Sequence, residues 1–146
     1  GVLANAGHKV ESAQRFLEAK ERLWVGSECW AQATAGAFDM LTQKACDEVA
    51  KPEWWNDEGL KALSARVVRA LPNDVRANKM RAHVLSGQCD AWEAGHRSAA
   101  ELNEAATHDE RAAELCIYPA GKAEHTRLAA CCRSQAAAIL AGTQRW

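Results

Sequence analysis

Apolar residues in this chain recur at steps of three and four and show no sustained alternation, so the pattern predicts helices and no sheet. From His8 to Val25 the stripe is Val10, Ala13, Phe16, Leu17, Leu23 and Trp24. Glu11 with Arg15 and Glu18 with Arg22 form acid-first pairs one turn apart on the solvated side. Gly26 stops this helix and Ser27 is placed to cap a second, whose stripe is Trp30, Ala33, Ala37, Phe38, Leu41, Ala45 and Val49. The second helix is expected to end before Pro52, because the proline ring disfavours helical geometry at Lys51.

The stretch Pro52 to Gly87 then reads as a tryptophan-bearing entry, a helix, a proline turn and another helix. Asn56 or Asp57 can cap the third helix by accepting a backbone N–H bond, and Leu60, Leu63, Val67 and Leu71 form its stripe. At Leu71-Pro72-Asn73-Asp74 that helix ends and Asn73 or Asp74 starts a fourth, with Ala77, Met80, Val84 and Leu85 inward until Gly87. Gln88 to Arg97 holds both Trp92 and Gly95 and reads as a short helical or irregular insert. Ser98-Ala-Ala-Glu101 fits a capping box that opens a fifth helix to about Cys116, striped by Leu102, Ala105, Ala106, Ala112, Ala113 and Cys116. After Ile117-Tyr118-Pro119 a sixth carries Ala123, Leu128, Cys131, Cys132, Gln135, Ile139 and Leu140 to Gly142, with Trp146 on a short tail. The expected architecture is all-α: one helical domain over 1–146, with about six helices as three antiparallel hairpins, either a compact bundle or a short solenoid.

Composition narrows the function more than the fold. Lys plus Arg is 18 against 19 for Asp plus Glu, so no global field draws the molecule to nucleic acid or an anionic membrane. The longest apolar run, Ala136 to Ala141, is far short of the roughly 20 residues that span a bilayer. Six cysteines include no C-x-x-C pair, and reduced, buried thiols are the expectation. Cys29 and Cys46, read as lying on one helix about 25 Å apart, cannot bond, and adjacent Cys131 and Cys132 cannot both be deep. The closest metal-like grouping is Cys116, His125 and Cys131, whose steps of nine and six place no two ligands a turn apart on one face. Core thiols and a surface histidine are the expectation there, with no metal and no cofactor. There is no G-x-S-x-G elbow, no H-E-x-x-H and no glycine-rich phosphate loop, so the chain reads as a non-enzyme.

Charge is segregated along the chain. Between Leu60 and Gly87 stand Lys61, Arg66, Arg69, Arg76, Lys79 and Arg81 against Asp74 alone. From Gln88 to Tyr118 stand Asp90, Glu93, Glu101, Glu104, Asp109, Glu110 and Glu114 against Arg97 and Arg111. These faces either neutralise one another or steer a partner protein onto a polar face. Trp24 and Trp30 lie on helical stripes and are expected in the core. Trp54, Trp55 and Trp92 fall in links, where large rings plug helix ends or anchor an interface. Adjacent Trp54 and Trp55 cannot both point inward from a regular helix. The candidate partner-binding residues are therefore Trp54, Trp55, Arg66, Arg69, Arg76, Lys79 and Trp92.

Pro72-Asn73-Asp74 and the stretch Ala106 to Pro119 (AATHDERAAELCIYP) resemble tetratricopeptide-type units, in which an alanine-bearing helix closes on a proline and a new helix opens. The spacing is irregular: Pro72 to Pro119 is 47 residues (119 − 72) against about 34 in that family. The segments PEWWNDEGLKALSARVVRALP and MRAHVLSGQCDAWEAGHRSAAEL are similar to alanine-rich proteins of unicellular algae. The algal resemblance implies a photosynthetic eukaryote and names no activity; the tetratricopeptide-like stack implies a protein-binding linker, scaffold or accessory subunit of a larger assembly, and together they imply an organellar, photosynthetic one, inside the cell and peripheral to any membrane complex. The opening at Gly1 rather than Met fits removal of an N-terminal segment, for which a cleaved plastid address is one explanation. The alternative is an RNA-binding helical-repeat module using Arg66, Arg69, Arg76 and Lys79.

Overall fold

The computed structural model describes residues 2–144, with side chains described for 6–142; Trp146 lies outside them. Among the described residues the chain is all-helical: α1 (Val2–Arg22), α2 (Glu28–Leu41), a 3₁₀ turn (Lys44–Cys46), α3 (Asp57–Ala70), α4 (Val75–Ser86), α5 (Ala99–Leu115) and α6 (Pro119–Gln144). No described helix is long and apolar enough to cross a membrane. Each helix packs on its successor in the chain, and α2 also reaches α4. The pairs α1–α2, α3–α4 and α5–α6 each pack as expected for helix hairpins, and the packing of α4 on α5 joins the second pair to the third in a continuous series.

The caps account for most of the boundaries. The Trp30 backbone N–H donates to the Ser27 hydroxyl at 3.1 Å, the Gly59 N–H to the Asn56 side chain at 2.8 Å, and the Ala77 N–H to the Asp74 carboxylate at 2.9 Å. Ser98 and Glu101 close the capping box reciprocally. Gly87 ends α4 in the left-handed region (φ 67°), where a side chain would be strained.

α2 does not run on to Pro52. The Thr42 hydroxyl and the Gln43 amide both donate to the Asp39 carbonyl, offering the backbone an alternative to another helical turn. The Lys51 ammonium then gathers the Cys46 and Val49 carbonyls of the irregular link at 2.8 and 2.9 Å. α1 likewise stops at Arg22, three residues early, which leaves Trp24 out of the core stripe and 86 % exposed.

Three apolar clusters follow one another along the series. Ala13, Leu41 and Cys46 join α1, α2 and the 3₁₀ turn. Trp30, Phe38, Leu60, Val67, Met80 and Val84 form the central core with Trp92. Leu85, Ala105, Ala106, Ala129 and Cys132 join α4, α5 and α6. Small residues let the helices come close. On α2, Gly36 lies so near the Phe16 ring that an added Cβ would stand 2.7 Å from it.

Gln88–Arg97 is irregular throughout, and one ion pair organises it. Arg97 donates to both Asp57 oxygens, at 2.9 and 2.5 Å, and to the Val84 and Leu85 carbonyls at 3.0 and 3.1 Å. Asp57 also accepts from the Trp92 indole at 3.0 Å and the Gly95 backbone at 3.1 Å. These bonds, led by Arg97, hold the Asp57 carboxyl well below the usual carboxylate range. Arg97 is 5 % exposed and Asp57 21 %, so removing the guanidinium leaves a largely desolvated carboxylate and orphans the end of α4. Arg97→Ala is expected to lose about 3 kcal/mol in urea denaturation. The double change Asp57→Asn with Arg97→Leu is expected to lose less than the sum of the two singles; strict additivity would refute the pairing as the source of the loss.

Candidate functional site

The residues expected at an interface divide into three places. Trp92 is buried, 7 % exposed, with its indole N–H donated to Asp57, so it is a core ring and not an exposed anchor. Trp55 is half-buried; its indole donates to the Ala91 carbonyl at 2.9 Å, and its ring lies 6.0 Å from Trp92 and 5.6 Å from Phe38. Trp54 is half-buried against Trp55 at 5.8 Å, with the Lys20 ammonium 5.2 Å from its centroid. Both rings of the pair pack because they precede α3 in a turn, outside the helical geometry that would have forced one outward.

The basic residues are likewise sorted by their partners. Lys61 pairs with Glu101 at 2.7 Å. Arg81 pairs with Glu104 at 3.0 Å and donates to the Lys61 carbonyl and the Ser64 hydroxyl. α5 thus neutralises part of the basic helix pair. Lys79 pairs with Asp39 of α2 at 3.3 Å, and Arg76 stands beside the same helix in a depression shared with Ala35 and Phe38. Arg66 and Arg69 are exposed, form no ion pair among the described residues, and line an open depression with Val25, Gly26 and Ala70. This places them at the turn that carries Trp24 and the 67 % exposed Val25.

A second candidate was not expected from the sequence. A cleft of about 560 Å³ opens between α4, α5 and α6. α4 contributes Lys79, Ala82 and His83, α5 contributes Asp109, and α6 contributes Glu124, His125, Arg127, Leu128 and Cys132. Asp109 is 4 % exposed and His125 7 %, which corrects the expectation of a surface histidine. His125 Nδ1 lies 3.5 Å from Asp109 Oδ1, outside hydrogen-bond reach, and has no hydrogen-bond partner.

Burial, together with Glu124 and Glu110, pushes the Asp109 carboxyl up to about 7, while burial drives His125 and His83 down. Burial pushes the Cys132 thiol up to about 11, so it supplies no thiolate at neutral pH. Of the six free cysteines only Cys46 and Cys132 are buried, while Cys29 and Cys131 are exposed. Among the described residues no three His, Cys, Asp or Glu side chains converge as a metal would require.

Asp109 was legible as an anomaly, since it falls on the stripe between Ala105–Ala106 and Ala112. His125 was not. On α6 the inward residues are His125, Ala129, Cys132 and Ala136, whereas Ala123, Cys131, Ile139 and Leu140, read as the apolar stripe, are exposed. No family model, curated protein or solved structure matches this chain.

The buried acid has a stability signature. Its carboxyl rises from an ordinary 3.8 to about 7, so the folded protein holds a proton that the unfolded chain releases between those values, and stability is lost as pH rises through that window. Asp109→Asn removes the effect. Relative to wild type the variant is expected to gain progressively from about pH 4 to pH 7, by about 4 kcal/mol in all. Parallel wild-type and variant stabilities in denaturant at pH 4, 6 and 8 would overturn the assignment.

Proposed function

We propose that this chain is a non-catalytic protein–protein interaction module, a linker, scaffold or accessory subunit of a larger assembly, that docks through the α1–α2 turn and the adjoining face of α3. The observation that carries it is the exposure of Trp24 (86 %) and Val25 (67 %) at the turn beside Arg66 and Arg69. Leaving a tryptophan in water forfeits about 2–3 kcal/mol of burial, and tryptophan and arginine dominate the energetic centres of interfaces. The partner that fits offers an apolar recess rimmed by carboxylates. Arg66 and Arg69 would speed its encounter and set its orientation, and Trp24 would supply most of the affinity. The resemblance to alanine-rich algal proteins supports an organellar, photosynthetic setting for that assembly.

An exposed tryptophan beside unpaired arginines is also what a single-stranded RNA would stack and pair against. The net charge of −1 and the neutralisation of Lys61, Arg81 and Lys79 by neighbouring acids favour the protein partner. Two variants test the reading in complexes purified from the native source: Trp24→Ala, and Arg66→Glu with Arg69→Glu. Each is expected to weaken partner retention at least ten-fold with the helical circular dichroism unchanged. Retention unaffected by both variants, or a filter-binding affinity for RNA that collapses with salt while no protein is retained, would refute it.

A further inference from the structure

The cleft between α4, α5 and α6 is distant in sequence from the docking turn and has a chemistry of its own. Its volume, about 560 Å³, falls within the roughly 300–1,000 Å³ of small-molecule sites. Its wall combines apolar Ala82 and Leu128 with the buried acid Asp109, whose basic neighbour among the described residues is a histidine ring rather than a lysine or arginine. Among the described residues, the Asp109 carboxyl accepts no hydrogen bond, and the nearest ring nitrogen, His125 Nδ1, stands 3.5 Å away, buried and itself unpartnered.

The basic groups at the rim are committed elsewhere. Lys79 pairs with Asp39 at 3.3 Å, and Arg127 pairs with Glu124 of its own helix at 2.7 Å. Burial keeps His83 and His125 from gaining a proton easily. An anion entering here would meet Asp109, and the cations nearest it, Lys79 and Arg127, already have carboxylate partners. An ammonium would instead supply the countercharge the carboxyl lacks, in a site where low polarity strengthens the attraction. A compact apolar body would cover Ala82 and Leu128 behind it.

We propose that this cleft is a binding site for a small organic cation, a protonated amine carried on a compact apolar body, with Asp109 as its counter-ion. The His125 ring forms the wall beside the carboxyl and leaves it unscreened. The inference is independent of the docking face, which lies at the other end of the helix series.

Three probes of one shape test it on the whole chain by two-dimensional NMR at pH 8, where the Asp109 carboxyl, raised to about 7, is ionised and benzylamine keeps its proton: benzylamine, benzyl alcohol and benzoate. Benzylamine is expected to give saturable shifts confined to α4, α5 and α6, with a dissociation constant on the order of 1 mM, as suits a ligand of about eight heavy atoms. The alcohol and the carboxylate are expected to bind at least ten-fold more weakly. Asp109→Asn, which keeps the shape and removes the charge, is expected to weaken benzylamine at least ten-fold. Leu128→Trp, which fills the cleft without touching the acid, should do the same. Equal binding of the alcohol would reduce the site to an apolar hollow. Tighter binding of benzoate would make it an anion site, and either result overturns the proposal. So would benzylamine binding indifferent to both variants, or no saturable shift up to 10 mM.

Discussion

Arg97 is the point through which three parts of this chain are held in register. Its guanidinium reaches the Asp57 carboxylate at the start of α3 and the Val84 and Leu85 carbonyls at the end of α4. One planar cation thereby answers a carboxylate beside a helix N-terminus and two terminal carbonyls at once, an arrangement the five fixed donors of arginine permit and a lysine ammonium does not. Because Asp57 also takes the Trp92 indole and the Gly95 backbone, the irregular stretch between α4 and α5 is fixed without secondary structure of its own. That stretch holds Trp92 against Phe38 and Trp55, so the aromatic centre of the core depends on a polar pair at its edge. The pair is largely shielded from water, and salt would screen it far less than the exposed Arg15–Glu11 and Arg127–Glu124 pairs.

Beyond that centre the packing changes character. The central cluster is built from large rings and branched side chains, whereas the α4–α5–α6 cluster is built from Ala105, Ala106, Ala129, Cys132 and Leu85. Alanines bring helices close but fill little volume, so where three helices diverge a hollow remains. The same economy of side-chain bulk leaves Asp109 and His125 facing one another without a third group to bridge them. The cleft and its unpaired acid are therefore two consequences of one packing choice. A leucine in place of Asp109 would have removed the acid and filled part of the gap.

The caps and turns were legible because each is a local event. Ser27, Asp74, Gly87 and the Ser98–Glu101 box act within four residues of where they stand. The all-helical fold was legible for the same reason. What escaped was set by long-range partners or by missing contrast. Nothing local in Trp92 says that Asp57, 35 residues away, will accept a hydrogen bond from its indole N–H and hold the ring in the core. Trp24 looked like a stripe residue, and only the early stop of α1 turned it out. On α6 alanine and cysteine are spread around the whole helix, so no choice of face stands out and the inward side was read about one position away from the true one. Asp109 alone gave a signal, an acid on an apolar stripe, and its meaning depended on finding His125 opposite.

Charge ties the two candidate places together by elimination. The basic residues of α3 and α4 look continuous along the chain, yet the fold assigns half of them internal work. Lys61 and Arg81 hold α5, and Lys79 answers Asp39 on α2. Among the described residues, what is left without an ion pair is Arg66 and Arg69 at the turn where Trp24 stands exposed and Arg76 beside α2, while Asp109, buried in the cleft, has only the His125 ring, 3.5 Å away, as a basic neighbour. The arginines at the turn and the acid are of opposite sign and sit at different helices, with the central core between them. A partner that neutralises the arginines therefore does nothing for the acid, and a cation in the cleft does nothing for the turn. The two proposed recognition sites are therefore separable.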